Sequence, residues 1–375
     1  MAPSKKLLFL VTEDWYFCSH RLPLAKAAQQ VGYKVSVLTR ENRHGDLIRE
    51  SGMELIPLNM VRGSAAPLQE LRSLWQIAQV YRQFKPDIVH HVALKPVLYG
   101  SLVAMFFPKL KVVNLMAGFG AVFSSKHWKA SVLRPWVKKL FQILFRRKNT
   151  LTIVQNTEDF GLLSGHLRIP ASKLRLIKGS GVDIQRFYPV QEPTGLVNIA
   201  LVSRLLWDKG VGEYVAAVKL LKQKGLMFNA LLVGQPDMEN MASIGAEQLQ
   251  AWNEVGYVQY HGHVEDIAQF WRQSHVAVLP SYREGLPKSL LEAAASGRPI
   301  ITTNTSGCKE VVENYKNGFL VPVKSVAELA DALERLILNK ELREKMGSAG
   351  RLKVEQEMSD DIVLTQTLAV YREML

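Results

Sequence analysis

The stretch SYREGLPKSLLEAAASGRPII, residues 281–301, reads as the exit of a buried strand, a loop, a helix and the entry to a second apolar strand. Ser281 closes the apolar run HVAVLPS (275–281), YREGL forms the loop, and Pro287 suits the first position of a helix, where its missing N–H costs nothing. The helix then opens over the carboxyl end of a sheet, and the N–H groups of Lys288, Ser289 and Leu290 have no partners within its own turns. Such donors, together with the helix dipole, attract a phosphate. Glu284 stays on the loop and Glu292 falls more than a turn inside the helix, so each carboxylate can accept hydrogen bonds from sugar hydroxyls. Spacing alone equally allows a solvated Glu284 and a structural Glu292.

The next outward signal is SRLLWDKG, residues 203–210, at the end of the apolar run LVNIALVS (196–203). An arginine fork at Arg204 and a mobile ammonium at Lys209 can neutralise a diphosphate together. Alone, the segment would read as a surface Arg and Lys beside a turn. Two such segments in corresponding positions of one domain argue for a shared site.

Further out, β-branched runs alternate with amphipathic helical stretches along the whole chain, which predicts parallel sheets covered by helices on both faces. The remaining predicted strands are 7–11, 34–39, 54–58, 87–92, 111–116, 151–156 and 173–179 in the first half, then 229–234, 258–262, 299–304 and 318–322. Predicted helices include 21–31, 68–84, 157–164, 210–224, 325–338 and 341–355. Residues 180–195, with Gly181, Pro189, Pro193 and Gly195, have no period and read as a linker. The expected organisation is a Rossmann-like domain at 1–190, a second at 191–358, and a helix at 359–375 packing back on the first. Two doubly wound α/β domains facing each other would place a cleft at the carboxyl ends of both sheets.

Composition agrees with this architecture. The 375 residues exceed what one core usually organises, and 47% hydrophobic with 22% charged residues is ordinary for a globular protein. Cys18 and Cys308 are too few for a disulfide framework and form no zinc pattern, which suits a reducing compartment. The start MAPSKKLLFLVTEDW meets Glu13 and Asp14 after a short apolar run, unlike a secretory leader, and 97–107 is too short to span a bilayer.

Charge is uneven. Residues 1–190 carry 28 Lys and Arg against 11 Asp and Glu, whereas 191–375 carry 19 against 23. An anionic partner for the first half follows: nucleic acid, anionic lipid or a phosphorylated acceptor. The segment KHWKASVLRPWVKKLFQILFRRK, residues 126–148, has eight basic residues and no acid, with Trp128, Trp136, Leu140, Phe141, Leu144 and Phe145 for an apolar face. A helix of that kind favours an anionic membrane surface, each cation contributing ~1 kcal/mol. It could also be a core helix with a solvated basic face. A nucleic-acid reader would spread its cations over a groove and interleave them with stacking aromatics, so nucleic acid is not the expected partner.

With these motifs in place, the chain resembles the retaining GT-B fold nucleotide-sugar glycosyltransferases of family 4, marked by two glutamates separated by seven residues, as Glu284 and Glu292 are. The likeness covers essentially the whole chain and is strongest over 196–322. It is closest in kind to bacterial enzymes that extend undecaprenyl-diphosphate-linked or other cell-surface glycans, among them the N-acetylgalactosaminyltransferases of N-glycan assembly. Their further segments are matched by HRLPLA (His20 to Ala25), HHVALKP (His90 to Pro96) and GFGAVF (Gly118 to Phe123).

The resemblance implies a UDP-sugar donor, a lipid-linked glycan acceptor, no cofactor and no metal. Arg204 and Lys209 would bind the diphosphate, Glu284 the sugar hydroxyls near the anomeric carbon, and Glu292 the ribose. Backbone of Gly285, Leu286, Lys288, Ser289 and Leu290 would contact sugar and phosphate, and Val264, in the loop from Gly262 to Glu265, would line the base pocket. A cytoplasmic protein peripheral on the inner face of the membrane is implied. Many relatives carry a His after the strand matching KVVNLM, whereas NLMAGFGAVF has none. Where relatives have a Gly-Gly loop, this chain has TEDWYFCSHR, so Glu13, Asp14, His20 and Arg21 are expected to shape the acceptor site. Asp14, His20 or His91 is a candidate base, although His90 and His91 could also be strand-end residues satisfied by backbone. UDP-N-acetylglucosamine 2-epimerases share a similar two-domain architecture but lack the Arg-x4-Lys and Glu-x7-Glu pairs.

Overall fold

The computed structural model describes residues 4–61, 66–116 and 128–375, with backbone alone for 128–134. The segment Gly118 to Phe123 and Lys126 therefore lie outside the described residues, and so do the side chains of Trp128, Lys129 and Arg134. The chain divides into two compact units, 1–180 with 363–375, and 181–362.

The first unit is built on seven parallel strands: β1 (Lys6–Glu13), β2 (Lys34–Arg40), β3 (Glu54–Pro57), β4 (Ile88–Val92), β5 (Lys111–Met116), β6 (Thr150–Val154) and β7 (Leu174–Leu176), in the order β3-β2-β1-β4-β5-β6-β7. Leu7 to Val11 and Ile88 to Val92 are wholly buried, because helices cover both faces. On one face Phe9, Phe17 and Leu24 form a core with Val363, Leu368 and Tyr371 of the helix Asp360–Met374. On the other, Leu8, Leu10 and Val89 pack with Ile77 and Tyr81 of the helix Pro67–Phe84.

The second unit has six parallel strands: β8 (Val197–Val202), β9 (Phe228–Val233), β10 (Gln259–Gly262), β11 (Val276–Leu279), β12 (Ile300–Thr303) and β13 (Gly318–Val321), in the order β10-β9-β8-β11-β12-β13. Strand order reverses between β8 and β11, so the loops leaving them diverge and open a crevice at the carboxyl edge of the sheet. Those two loops are SRLLWDKG and SYREGL.

Two local features differ from the sequence reading. The helix Leu94–Ala104 fills most of the apolar stretch 97–107; packed among neighbours on several sides, it lacks the one-sided pattern that marks a surface helix. The segment expected to be a linker is partly built into the second unit. Val182 exchanges backbone hydrogen bonds with Met358 and Asp360, Phe187 enters the core beside Trp271, and Arg351 donates to the carbonyls of Ile184 and Phe187. The division thus falls at 180 and 362, against the expected 190 and 358.

Candidate functional site

β8 ends at Val202, and the chain passes through one 3-10 turn, Trp207–Lys209, before Gly210 starts the helix Val211–Gln223. Gly210 has φ +73, and a Cβ there would lie 2.1 Å from the carbonyl oxygen of Pro280, so only glycine lets this turn press against the exit of β11. The contact is then fastened: Tyr282 N–H donates to Asp208 O at 2.8 Å, Ser281 Oγ to the same oxygen at 3.2 Å, and Tyr282 OH to Glu213 Oε1 at 2.6 Å. Two loops separated by some seventy residues behave as one piece.

The result is a close ion pair. Lys209 Nζ lies 2.5 Å from Glu284 Oε1, with side-chain exposures of only 16% and 10%. Arg204, at the start of the same turn, pairs with Asp237 at 2.6 Å. Behind Glu284, the helix Ser306–Val311 presents Gly307, where a Cβ would fall 2.3 Å from Gly285 O and 2.8 Å from Glu284 O. Thr303 Oγ1 donates to Ser281 O from the same side. Cys308, beside this loop, is fully buried, and burial pushes its thiol up to about 11, out of reach of ordinary reactivity.

Pro287 does not occupy the first helical position. Its ψ of 118° is extended, which makes it the N-cap, and the helix runs Lys288–Ala295. Pro287 O consequently accepts from the N–H of Leu290 at 3.2 Å, so Leu290 is already engaged and the expected set of three open donors is smaller. The Leu290 side chain is core. Glu292 is buried one turn in; burial raises its carboxyl pKa, while Lys288 Nζ, 4.0 Å away, pulls it down. Gly285 and Leu286 lie on the loop between Glu284 and the helix, and Ser289 is in its first turn. Val264 follows β10 on the same carboxyl edge, partly buried against the core.

Asp14 and His20, in the first unit, have different surroundings. Asp14 is fully buried; its Oδ1 accepts from Trp15 N–H at 2.6 Å and its Oδ2 from Asn42 and His44 N–H at 2.7 and 2.9 Å. That carboxylate anchors the turn after β2. His20 stacks on Tyr16 at 4.3 Å and shares a 2.6 Å hydrogen bond between Nδ1 and Ser19 Oγ. His91 is a core residue: Nδ1–H donates to Asn114 Oδ1 at 2.8 Å, Nε2 accepts from Tyr81 OH at 2.7 Å, and burial lowers its pKa to about 4. Gly100 leaves it room, since a Cβ there would lie 2.4 Å from Nε2. His90 is hydrogen-bonded to Tyr371 and stacked on Phe9. Side chains, not strand-end backbone, satisfy both ring nitrogens of His91 and Nδ1 of His90, whereas His90 Nε2 is buried without a hydrogen-bond partner among the described residues. Among the described residues no three His, Cys, Asp or Glu gather as metal ligands would.

Asp237, Tyr282, Glu213, Gly234 and Gly307 were not singled out by the sequence. Only the glycines carried a signal, each following or ending a strand next to the motif loops.

Residues 188–353 match the family model for glycosyl transferases group 1, and residues 6–156 match that for glycosyl transferase 4-like proteins. The two matches together span most of the chain, and the chain is a glycosyltransferase. As a glycosyltransferase it is 27% identical, over 86% of its length and 87% of the relative's, to the N,N'-diacetylbacillosaminyl-diphospho-undecaprenol alpha-1,3-N-acetylgalactosaminyltransferase of Campylobacter jejuni. It is 26% identical, over 73% of its length and 72% of the relative's, to the UDP-Gal:alpha-D-GlcNAc-diphosphoundecaprenol alpha-1,3-galactosyltransferase of Escherichia coli. Its fold is GT-B, as in the crystal structure of Anabaena HepE in complex with UDP-glucose, which superposes with TM-score 0.76 at 19% identity over 98% of this chain and 99% of that one.

Proposed function

We propose that this glycosyltransferase moves a sugar, an N-acetylhexosamine or a hexose, from a UDP-sugar to an undecaprenyl-diphosphate-linked or other cell-surface glycan, with retention at the anomeric carbon and no metal. The observation that carries the reading is the pairing of Lys209 with Glu284 at the carboxyl edge of the second sheet, with Arg204 on the same loop as Lys209 and the helix Lys288–Ala295 following Glu284's loop. Arg204, Lys209 and the helix start hold the diphosphate and stabilise the charge that grows as the sugar–phosphate bond breaks, which is the service a metal ion would otherwise supply. Glu284 orients the sugar through its hydroxyls, and Glu292 accepts from the ribose. The acceptor hydroxyl attacks from the leaving-group face, and its proton passes to the departing diphosphate oxygen. The names of the two curated relatives support a diphospho-undecaprenol acceptor, and those of the galactosyltransferase and HepE support UDP.

The same proposal places the enzyme on the inner face of the cytoplasmic membrane, held through 126–148, with no nucleic-acid partner. No helix among the described residues is long and apolar enough to cross a bilayer. The helix Trp128–Arg146 buries Phe141, Leu144 and Phe145, and leaves Trp136 74% and Ile143 48% exposed beside exposed Lys139 and Arg146. Arg146 also donates to the Arg168 carbonyl at 2.6 Å, and Arg147, which donates to the carbonyls of Phe107 and Asn149, belongs to the fold.

The test is UDP release from a panel of UDP-sugars, with short polyprenyl-diphosphate sugars as acceptors and with EDTA present. Release that requires both donor and acceptor supports the reading; release abolished by EDTA and restored by Mg²⁺ contradicts the metal-free part.

A further inference from the structure

Three cations beside the proposed diphosphate position already face carboxylates. Lys209 faces Glu284 at 2.5 Å, Lys288 faces Glu292 at 4.0 Å, and Arg204 faces Asp237 at 2.6 Å. Glu284 and Glu292 have sugar and ribose hydroxyls to accept from. Asp237 has no such task, yet it is the more buried partner of its pair.

Its position is built in. After β9, Gly234 turns with φ +136 so close to the first loop that a Cβ would fall 1.7 Å from Ser203 O. Residues 235–244 then lie along the loop after β8 as a strap. Leu205 N–H donates to Gln235 O at 3.0 Å, Trp207 N–H to Ala242 O at 2.8 Å and Ile244 N–H to Leu205 O at 3.0 Å, while Leu206 and Ser243 form an antiparallel bridge. Asp237 itself is fixed at both backbone ends, its N–H to Ser243 Oγ at 3.0 Å and its carbonyl accepting from Asn240 N–H at 2.8 Å. The strap therefore delivers a carboxylate to the guanidinium from the segment to which Arg204's own loop is tied.

A guanidinium so occupied offers an arriving phosphate fewer N–H groups and a like charge a few ångströms away. An anion held by Arg204 alone gains little by displacing the carboxylate. A diphosphate anchored by Lys209, the helix start and the ribose contacts gains more. Resting on the reading that Arg204 binds the donor diphosphate, we propose that Asp237 is an internal counter-anion that competes with that diphosphate for Arg204, lowering donor affinity and excluding simple phosphates.

The experiment is isothermal titration of full-length wild type, Asp237→Asn, Arg204→Ala and the double variant with UDP and with inorganic pyrophosphate. Asp237→Ser repeats the test with a smaller side chain. Removing one like charge at this range should tighten UDP about tenfold or more, with at least as large a gain for pyrophosphate, and the gain should vanish in the Arg204→Ala background. UDP bound equally or more weakly by both Asp237 variants would overturn the proposal and make Asp237 a support that aims Arg204. Arg204→Ala binding UDP as wild type does would instead overturn the donor-site reading on which the proposal rests.

Discussion

Lys209 and Glu284 stand 75 positions apart in the chain and 2.5 Å apart in the second unit, and neither can leave without stranding the other in a place that water scarcely reaches. Lys209→Ala and Glu284→Gln should each lower kcat by about a hundredfold or more, the scale of losing one preorganised charge at a reacting centre. Circular dichroism should show folded protein in both. Near-normal turnover by both variants would remove the site from consideration.

Gly307 separates catalysis from folding. An added methyl group would meet the carbonyls of Gly285 and Glu284, so Gly307→Ala must shift the loop that carries Glu284. The expected outcome is a loss in kcat/KM of about a hundredfold from misplacement, with overpacking costing only about 1–3 kcal/mol of stability. Steady-state kinetics beside thermal melts would show it; an active variant of lowered Tm would mean that the loop yields without moving Glu284.

The buried imidazoles of the first unit set a pH dependence. His91 is held neutral by burial, with its pKa lowered to about 4 from an ordinary value of 6.5, and His90 is shifted in the same direction. The unfolded chain takes up these protons first as pH falls. The stability that the neutral rings contribute is whole above about pH 6.5 and is lost as pH drops towards 4, by roughly 2–4 kcal/mol for His91. Urea unfolding between pH 7 and 4 should show the decline, and His91→Gln should flatten it. A parallel slope in the variant would assign the acid sensitivity elsewhere.

Membrane attachment should depend on the outward face of the helix Trp128–Arg146. Trp136→Glu, Lys138→Glu and Lys139→Glu together should release the protein from vesicles containing anionic lipid, since each basic residue near such a surface contributes ~1 kcal/mol. Binding by the wild type should fall as salt rises, and UDP binding should be unaffected by the triple change. Sedimentation of the variant with those vesicles would give the helix another purpose. Arg147 is left in place because its guanidinium closes carbonyls of the fold.

The parallel strands were legible because burial on both faces writes them as short apolar runs, and every predicted run from 7–11 to 318–322 is a strand within two or three residues of its expected ends. That Arg204, Lys209 and Glu284 follow strand exits and Glu292 sits inside a helix was legible because strand exits and a helix start have local signatures. What escaped was decided by distant partners. Nothing near Asp237 in the sequence announces that a strap will lay it on Arg204. His91 looks like a candidate base until Tyr81 and Asn114 arrive from other elements to bind it. The helix Leu94–Ala104 was missed for the opposite reason, being apolar nearly all round.

The helix Asp360–Met374 contributes Val363, Leu368, Val370 and Tyr371 to a core that otherwise consists of residues from the opening third of the chain, β6 and Ile177. A ribosome making this protein has therefore emitted the whole second unit before the first can close over Phe9 and His90. Until then the early half carries an open apolar face, and a late frameshift that removed Leu368 to Tyr371 would damage the part synthesised earliest.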